Sequence, residues 1–383
     1  MSKIYFNGNI VPEDSKYLNQ GNRGLRYGDA LFETMRASNG VIFFWEDHYL
    51  RLMASMRMLR MEIPMSFTLE TLDDAIQKVL VANELDKWLV LENERFSKLV
   101  LRLFHTELEA VYEEFNRGQD NDFRKSYAAM LDGLFPTHPY GQQSTIGTSD
   151  HLKNPSMVHI NDYFNKYYVP NNMAIVLVGD LDFDTTIQKI EATFGQMKYK
   201  EVKHPTLPVE EPLKGEVVRE VFGPNNESVS VAYRTPGIGT EEEKIITLIE
   251  MLLMNGNAGL FDLNLNQKQA VQYAGCSPTF LNDYGYHSFS GAPKTGQTLD
   301  EVKDLLLAQI EKLKKGEFDE WMIDAVVNDL KLSQTRQYEN NTALASAYFN
   351  AFIHHENWND KVKFLDDLKS ISKQELVDFA NKF

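Results

Sequence analysis

The sequence is poor in the features that would tie it to an oxidising compartment or to a membrane. Its 383 residues contain a single cysteine, Cys276, so neither an intrachain disulfide nor a cluster of several thiolates around a metal can form. No apolar run approaches the roughly 18 residues that cross a bilayer, and no basic stretch leads into an apolar one near the N-terminus. We therefore expect no membrane span and a cytoplasmic protein, with a periplasmic location as the alternative if the true N-terminus has been lost.

Positive charge is also scarce. The chain has 39 lysines and arginines against 55 aspartates and glutamates, which gives a formal net charge of −16. Such an acidic balance argues against nucleic acid as a partner. The hydrophobic share of 43% and the charged share of 25% are ordinary for a globular protein, and the length predicts two or three domains.

The order of apolar patterns predicts a mixed α/β (α+β) fold. The chain is expected to divide into the segments 1–82, 83–204 and 215–383, the last boundary because of a proline-containing linker and the boundary near residue 82 because the family resemblance given below changes there. The first segment opens with a hairpin signal, Asn7-Gly8. In the second segment a continuous apolar run at 173–178 predicts a buried strand, and in the third segment nearly alternating apolar residues at 217–222 and 229–233 predict strands. Amphipathic helices follow in both segments. This shared order of strand and helix predicts two related α/β sandwich units joined by a proline-containing linker.

Two carboxylates in the stretch 104–122 are the clearest candidates for chemistry. The stretch has helical spacing, and Glu107 and Glu114 stand seven residues apart, about two helical turns, so both project from nearly one line. Such a pair could bind a metal ion or a cationic substrate, or one carboxylate could act as a general base. The alternative interpretation is a solvated acidic helix face.

A family resemblance covers the first segment. Residues 27–36, YGDALFETMR, and 48–52, HYLRL, resemble the small domain of class IV aminotransferases, especially the aminodeoxychorismate lyase type. The resemblance implies that Arg51 corresponds to the arginine that binds the phosphate of pyridoxal phosphate, a role suited to a guanidinium fork. The Schiff-base lysine of that family lies beyond the matching segment, so we do not expect catalysis with this cofactor.

A second resemblance covers about residues 83–383. Residues 106–114 (TELEAVYEE), 136–141 (PTHPYG), 168–173 (YVPNNM) and 257–260 (NAGL) are similar, in the same order, to the pitrilysin/insulinase family of zinc peptidases, which includes the mitochondrial processing peptidases. The resemblance implies two pitrilysin-like units, of which the first is incomplete here. It also implies that Glu114 is the third zinc ligand and that Glu107 is the carboxylate supporting it.

The departure from this family concerns the metal site. The family binds zinc through an H-x-x-E-H helix upstream of the matching region, and none of the nine histidines stands in that motif. Residues 1–82 occupy the place of that helix. Because a zinc site needs three protein ligands, we expect zinc binding to be weak or absent and the chain to be catalytically silent on its own.

Three functions remain open at this point. The chain could be a zinc-metalloendopeptidase scaffold without catalytic activity that binds peptides or a second pitrilysin-like half. A non-catalytic partner subunit of a processing peptidase would be one example of such a scaffold. It could be an active peptidase if another chain supplied the missing ligands. It could be a pyridoxal-phosphate-dependent lyase or aminotransferase. The join near residue 82 is also compatible with a gene fusion, a deletion product or an assembly artefact.

Overall fold

The computed structural model describes residues 3–16, 18–28, 30–38 and 41–382. The strands of these residues are β1 (Lys3–Phe6), β2 (Asn9–Pro12), β3 (Ala37–Ser38), β4 (Val41–Ile42), β5 (Val229–Pro236), β6 (Tyr273–Phe280) and β7 (Tyr284–Ala292). The helices are α1 (Arg23–Tyr27), α2 (Trp45–Met58), α3 (Leu69–Ser97), α4 (Phe104–Gln119), α5 (Asp122–Leu134), α6 (Pro139–Gln142), α7 (Ser149–Lys153), α8 (Met157–Tyr167), α9 (Phe183–Phe194), α10 (Glu241–Leu253), α11 (Leu299–Lys314), α12 (Trp321–Tyr338), α13 (Asn341–Ile353), α14 (Trp358–Asp367) and α15 (Lys373–Lys382).

The chain divides into two compact units. The first unit contains Met1–Val100 and Asp182–Tyr199, and the second unit contains Leu101–Leu181 and Lys200–Phe383. The segment boundaries expected from the sequence, near 82 and between 204 and 215, stay a prediction, because compact packing does not by itself assign the origin of a segment.

The first unit opens with the expected hairpin. Strands β1 and β2 pair antiparallel with Phe6 opposite Asn9, and the turn residues Asn7 and Gly8 both have positive φ, 46° and 94°. Positive φ at both positions is what a two-residue type I′ turn requires, and asparagine followed by glycine supplies it at least cost. The hairpin prediction at Asn7-Gly8 is confirmed.

Helix α3 is a single helix of 29 residues that runs through the predicted junction near residue 82. Its N-terminus is capped by the Thr68 side chain, which accepts a hydrogen bond from the backbone amide of Thr71. The sequence 69–97 contains neither glycine nor proline, so no residue in it terminates the helix. Leu89, well past the predicted junction, is fully buried, and an ion pair of 2.8 Å joins Asp86 on α3 to Lys189 on α9.

The second unit is built on a three-stranded antiparallel sheet in the order β5-β7-β6. Opposite residues such as Cys276 and Phe289 point to the same face, because side chains alternate along a strand and align across the ladder. That face packs against helices α10, α11 and α12 and buries the main core of the unit, which includes Leu252, Phe289 and Leu306. The burial of apolar side chains between this sheet and the helices is the main stabilising contribution in the unit.

The opposite face of the same sheet carries a smaller cluster. Tyr286 on β7 packs there with Leu134 and Phe135 at the end of α5, and all three are buried. The Arg234 guanidinium lies over the Phe135 ring, 5.5 Å from its centroid. The sheet is therefore covered on both sides, which is the layered arrangement expected of an α/β sandwich.

Two predicted strands are wrong. Residues 173–178 form neither strand nor helix, and none of the six is buried. Residues 217–222 also form neither strand nor helix, and all of them are exposed. The physical reason is the lack of a neighbour: among the strands of the described residues none pairs with either segment, and an unpaired strand leaves its backbone groups without ladder hydrogen bonds. The mixed α/β class is nevertheless confirmed.

Candidate functional site

Helix α4 carries both of the glutamates expected to serve a metal site. The helix starts after Leu103, whose φ of 58° places it in the left-handed region, and it contains no buried residue. Leu108, Val111 and Phe115 form its half-buried face, while Glu107 and Glu114 are exposed. The helical spacing of the two carboxylates is thus confirmed, and their roles in a metal site stay a prediction.

The surroundings of Glu114 do not fit a zinc ion. Zinc in proteins takes three side-chain ligands and a water, or four side chains. Among the described residues one group of three potential ligand side chains comes together, and it lies on α10, β6 and β7 rather than on α4. His105, the histidine on the same helix, is exposed and stands nine positions before Glu114, about 13.5 Å along the axis. Glu114 therefore supplies only one of the three protein ligands that a zinc ion needs, and the described residues around it cannot hold zinc for catalysis.

Arg51, the predicted phosphate-binding arginine, is engaged by a carboxylate of the first unit. Its Nε donates to Glu33 Oε1 at 2.8 Å, its second guanidinium nitrogen donates to Glu33 Oε2, and His48 Nδ1 lies 2.9 Å from the same oxygen. The hydrogen bonds from Arg51 and then from His48 lower the pKa of Glu33 to about 2, so the carboxylate stays charged at neutral pH. A phosphate group at Arg51 would have to replace this two-pronged contact.

Pyridoxal phosphate therefore has an incomplete set of partners here. Arg51 is 61% exposed at its side chain, so the guanidinium is accessible, but it is already paired. The tethering lysine implied by the aminotransferase resemblance is expected beyond residues 1–82, and its lack in this chain stays a prediction. The described residues therefore do not form a pyridoxal phosphate site.

The loop 136–141 is held by a buried carboxylate that sequence reasoning missed. The backbone amides of Thr137 and His138 donate to Glu210 Oε1 at 2.8 and 2.6 Å, and the side chain of Glu210 is 1% exposed. Burial raises the pKa of Glu210, but the hydrogen bonds from the His138 and Thr137 amides and the nearby Arg234 charge lower it by more, so the net pKa is below the ordinary value. Glu210 lies in a stretch rich in proline and charge, a composition that indicates a linker and gives no signal of burial.

Aromatic and cationic side chains complete this loop site. Arg234 donates to the carbonyl oxygens of Leu134 and Glu211, and the Tyr284 hydroxyl accepts from the Glu210 amide at 2.9 Å. His138 is buried, and its Nε2 lies 3.6 Å from Asp283. The Glu210 carboxylate accepts the amides of Thr137 and His138, and these bonds position the loop against the sheet. The buried Nε2 of His138, by contrast, has no hydrogen-bond partner among the described residues.

Comparison with known proteins agrees with this architecture. Residues 158–330 match the family described as Peptidase M16 inactive domain, and residues 30–161 match the family described as Amino-transferase class IV. Both resemblances predicted from the sequence are therefore confirmed. Within the second unit the chain has the fold of the M16, or pitrilysin-like, peptidases.

Individual relatives show how far each resemblance extends. The zinc protease PqqE of Helicobacter pylori is 24% identical over 311 residues, 78% of this chain and 69% of that protein. The D-alanine aminotransferase of Staphylococcus epidermidis is 28% identical over 83 residues, 22% of this chain and 29% of that protein. A protease from Helicobacter pylori of known crystal structure superposes with a TM-score of 0.69 at 21% identity, covering 78% of this chain and 74% of that chain. This chain thus spans most of a peptidase relative and less than a third of the aminotransferase.

Proposed function

We propose that this chain is a peptide-binding scaffold of the M16 type that does not hydrolyse peptides on its own. The observation that carries the proposal is the position of Glu114: the residue that corresponds to a zinc ligand in the resemblance is exposed on α4 and stands outside the cluster of potential ligands found among the described residues. Zinc-activated water needs three protein ligands to hold the ion. Residues 158–330 match a family described as an inactive domain, which agrees with a binding role for that part of the chain.

The proposed occupant is a basic, extended peptide or a second pitrilysin-like half. The net charge of −16 favours cationic partners. In the three-stranded sheet of the second unit, β5 and β6 are the outer strands, and an outer strand offers backbone groups to which an extended peptide can add. A partner that supplied the missing ligands would convert this scaffold into a peptidase, and this is the proposed alternative.

A binding assay and a cleavage assay on one preparation test the proposal. We expect a labelled, lysine-rich unfolded peptide to bind saturably in fluorescence anisotropy, more weakly at high salt, and to be recovered intact by mass spectrometry when zinc is added. An acidic peptide of equal length is the control for charge. Glu114→Gln should leave both results unchanged. Cleavage that a chelator abolishes and that Glu114→Gln also removes would overturn the silent assignment, and failure to bind would remove the scaffold role.

No observation favours the aminotransferase function beyond the family resemblance. Adding pyridoxal phosphate should produce no absorption band that borohydride abolishes, because a Schiff base requires a lysine placed for it. Such a band would return this function to consideration. No helix in the described part of the chain is long and apolar enough to cross a membrane. The cytoplasmic location stays a prediction that cell fractionation can test.

A further inference from the structure

Three side chains of different chemistry meet between helix α10 and the sheet of the second unit. Glu250 is in the last turn of α10, Cys276 lies on β6, and His287 lies on β7. One ligand atom from each, a carboxylate oxygen, Sγ and an imidazole nitrogen, lies within 4.8 Å of the other two. None of the sequence patterns connects these residues, since they are spread over 38 positions and come together only through the sheet pairing.

The strand register places the cysteine and the histidine side by side. Cys276 is opposite Phe289, and Pro278 is opposite His287, so Cys276 and His287 are diagonal neighbours on one face of the sheet. This face is the one covered by helix α10, whose Glu250 reaches toward it. Both β-strand positions are held by ladder hydrogen bonds, and the third position is held by a helix packed on the core, so the three ligand atoms are presented by rigid elements.

The side chains of Glu250, Cys276 and His287 are close enough to share a proton or to bind one cation together. His287 Nε2 lies 2.7 Å from Glu250 Oε2, and the Cys276 thiol also has a hydrogen-bonding contact with Glu250. His287 is 5% exposed, and the Glu250 side chain is 18% exposed, which leaves a route from solvent to the carboxylate. Asp262, buried nearby, adds further negative potential at Cys276.

The thiol is not poised to act as a nucleophile. Burial, followed by the charge of Glu250 and the hydrogen bond to it, raises the pKa of Cys276 far above its ordinary value. A reactive cysteine needs the opposite, an electropositive surrounding that favours the thiolate. A bound divalent cation reverses this, because a coordinating thiol is deprotonated by the metal.

We propose that Glu250, Cys276 and His287 form a zinc-binding site that joins helix α10 to strands β6 and β7. Thiolate, imidazole and carboxylate together suit zinc rather than calcium or magnesium, which prefer oxygen ligands alone. Ligand atoms around tetrahedral zinc are roughly 3.3–3.8 Å apart, given metal–ligand distances of about 2.0–2.3 Å. Ligand atoms at the 4.8 Å limit would need to approach by about 1 Å, whereas His287 Nε2 and Glu250 Oε2, now 2.7 Å apart, would need to separate by roughly 0.6 Å. On binding, the thiol proton leaves to solvent, the imidazole binds through Nε2 with its proton on Nδ1, and one position remains for water.

Cobalt(II), a coloured stand-in for zinc, tests the site in the full chain after chelator treatment. We expect one equivalent of cobalt to bind with a thiolate-to-cobalt charge-transfer band, and we expect zinc to displace it and to raise the thermal midpoint of unfolding. Cys276→Ser should abolish the band and the thermal shift. Glu250→Gln and His287→Gln should each weaken cobalt binding about tenfold or more, in line with the loss of one ligand.

Matched variants distinguish this site from the predicted metal site at Glu114 on helix α4. His105→Gln and Glu114→Gln alter exposed ligands elsewhere and should leave the cobalt spectrum unchanged, whichever way the peptidase assay turns out. Circular dichroism checks that each variant is folded. If His287→Gln does not fold, Cys276→Ser and Glu250→Gln alone test whether the three residues bind the metal. Absence of the band in the unaltered chain, or a band that survives Glu250→Gln at full affinity, would overturn the three-ligand site.

Discussion

The same residue type takes opposite roles at different positions of this chain. Glu114, which the family resemblance marks as a metal ligand, is exposed and lies outside the one cluster of potential ligands among the described residues. Glu210, which no motif marks, is buried and accepts two backbone amides. A carboxylate in a charge-rich stretch is normally solvated, and it becomes structural only where backbone donors converge on it.

Replacing Glu210 should therefore destabilise the second unit. In Glu210→Gln the amide oxygen can still accept from Thr137 and His138, but both bonds lose their charge assistance, and we expect a loss of about 1–2 kcal/mol at neutral pH. Glu211→Gln, one residue on and exposed, is the matched control. Chemical denaturation followed by circular dichroism measures both. Equal stability of the two variants would show that the buried carboxylate contributes nothing specific.

The pH dependence of this effect has a defined sign. The pKa of Glu210 is lowered in the folded chain from its ordinary value of 4.5, so its contribution is present above that value and is lost as the pH falls through the lowered pKa. The stability difference between the unaltered chain and Glu210→Gln should accordingly shrink below about pH 4.5. A difference that grew on acidification would contradict the assigned direction.

Among the elements, helix α3 departs most from the sequence-based expectation. The predicted segment boundary near residue 82 falls inside this helix, which continues through it because no glycine or proline interrupts the sequence 69–97. Strands at 173–178 and 217–222 fail for the converse reason, since strand formation needs a partner that the pattern cannot supply. Local sequence decides a helix to a greater extent than a strand, whose hydrogen bonds are all made with other segments.

Helix α3 should lose stability when its buried anchor is truncated. Leu89 is fully buried, and Leu89→Ala should cost about 2–5 kcal/mol through lost apolar burial and the remaining cavity. Val90→Ala, at a neighbouring position that is 60% exposed, should change stability by no more than about 0.5 kcal/mol. Amide hydrogen exchange over residues 69–97 reports the effect within the first unit. Similar exchange in both variants would mean that the helix past the junction does not pack as described.

At the scale of the whole molecule, the longest exposed stretch without helix or strand lies between α9 and β5. Residues 211–228 are all exposed. Proteases cut such segments first, because the substrate backbone must unfold locally to enter the protease active site. Trypsin should therefore cleave first after Lys214 or Arg219, before Lys87 within α3. N-terminal sequencing of the earliest fragments identifies the cut. Early cleavage after Lys87 would instead indicate a weak point at the predicted junction.

Local sequence was enough to predict the α/β class, the Asn7-Gly8 hairpin, the helical spacing of Glu107 and Glu114, and both family resemblances. These depend on local periodicity, on turn chemistry and on residues near one another in the chain. The three-dimensional structure was needed to show that 173–178 lacks a strand partner, that Glu210 is buried, that Glu33 binds Arg51, and that Glu250, Cys276 and His287 meet. Each of these depends on contacts between distant segments, which sheet pairing and helix packing create and which no local pattern encodes.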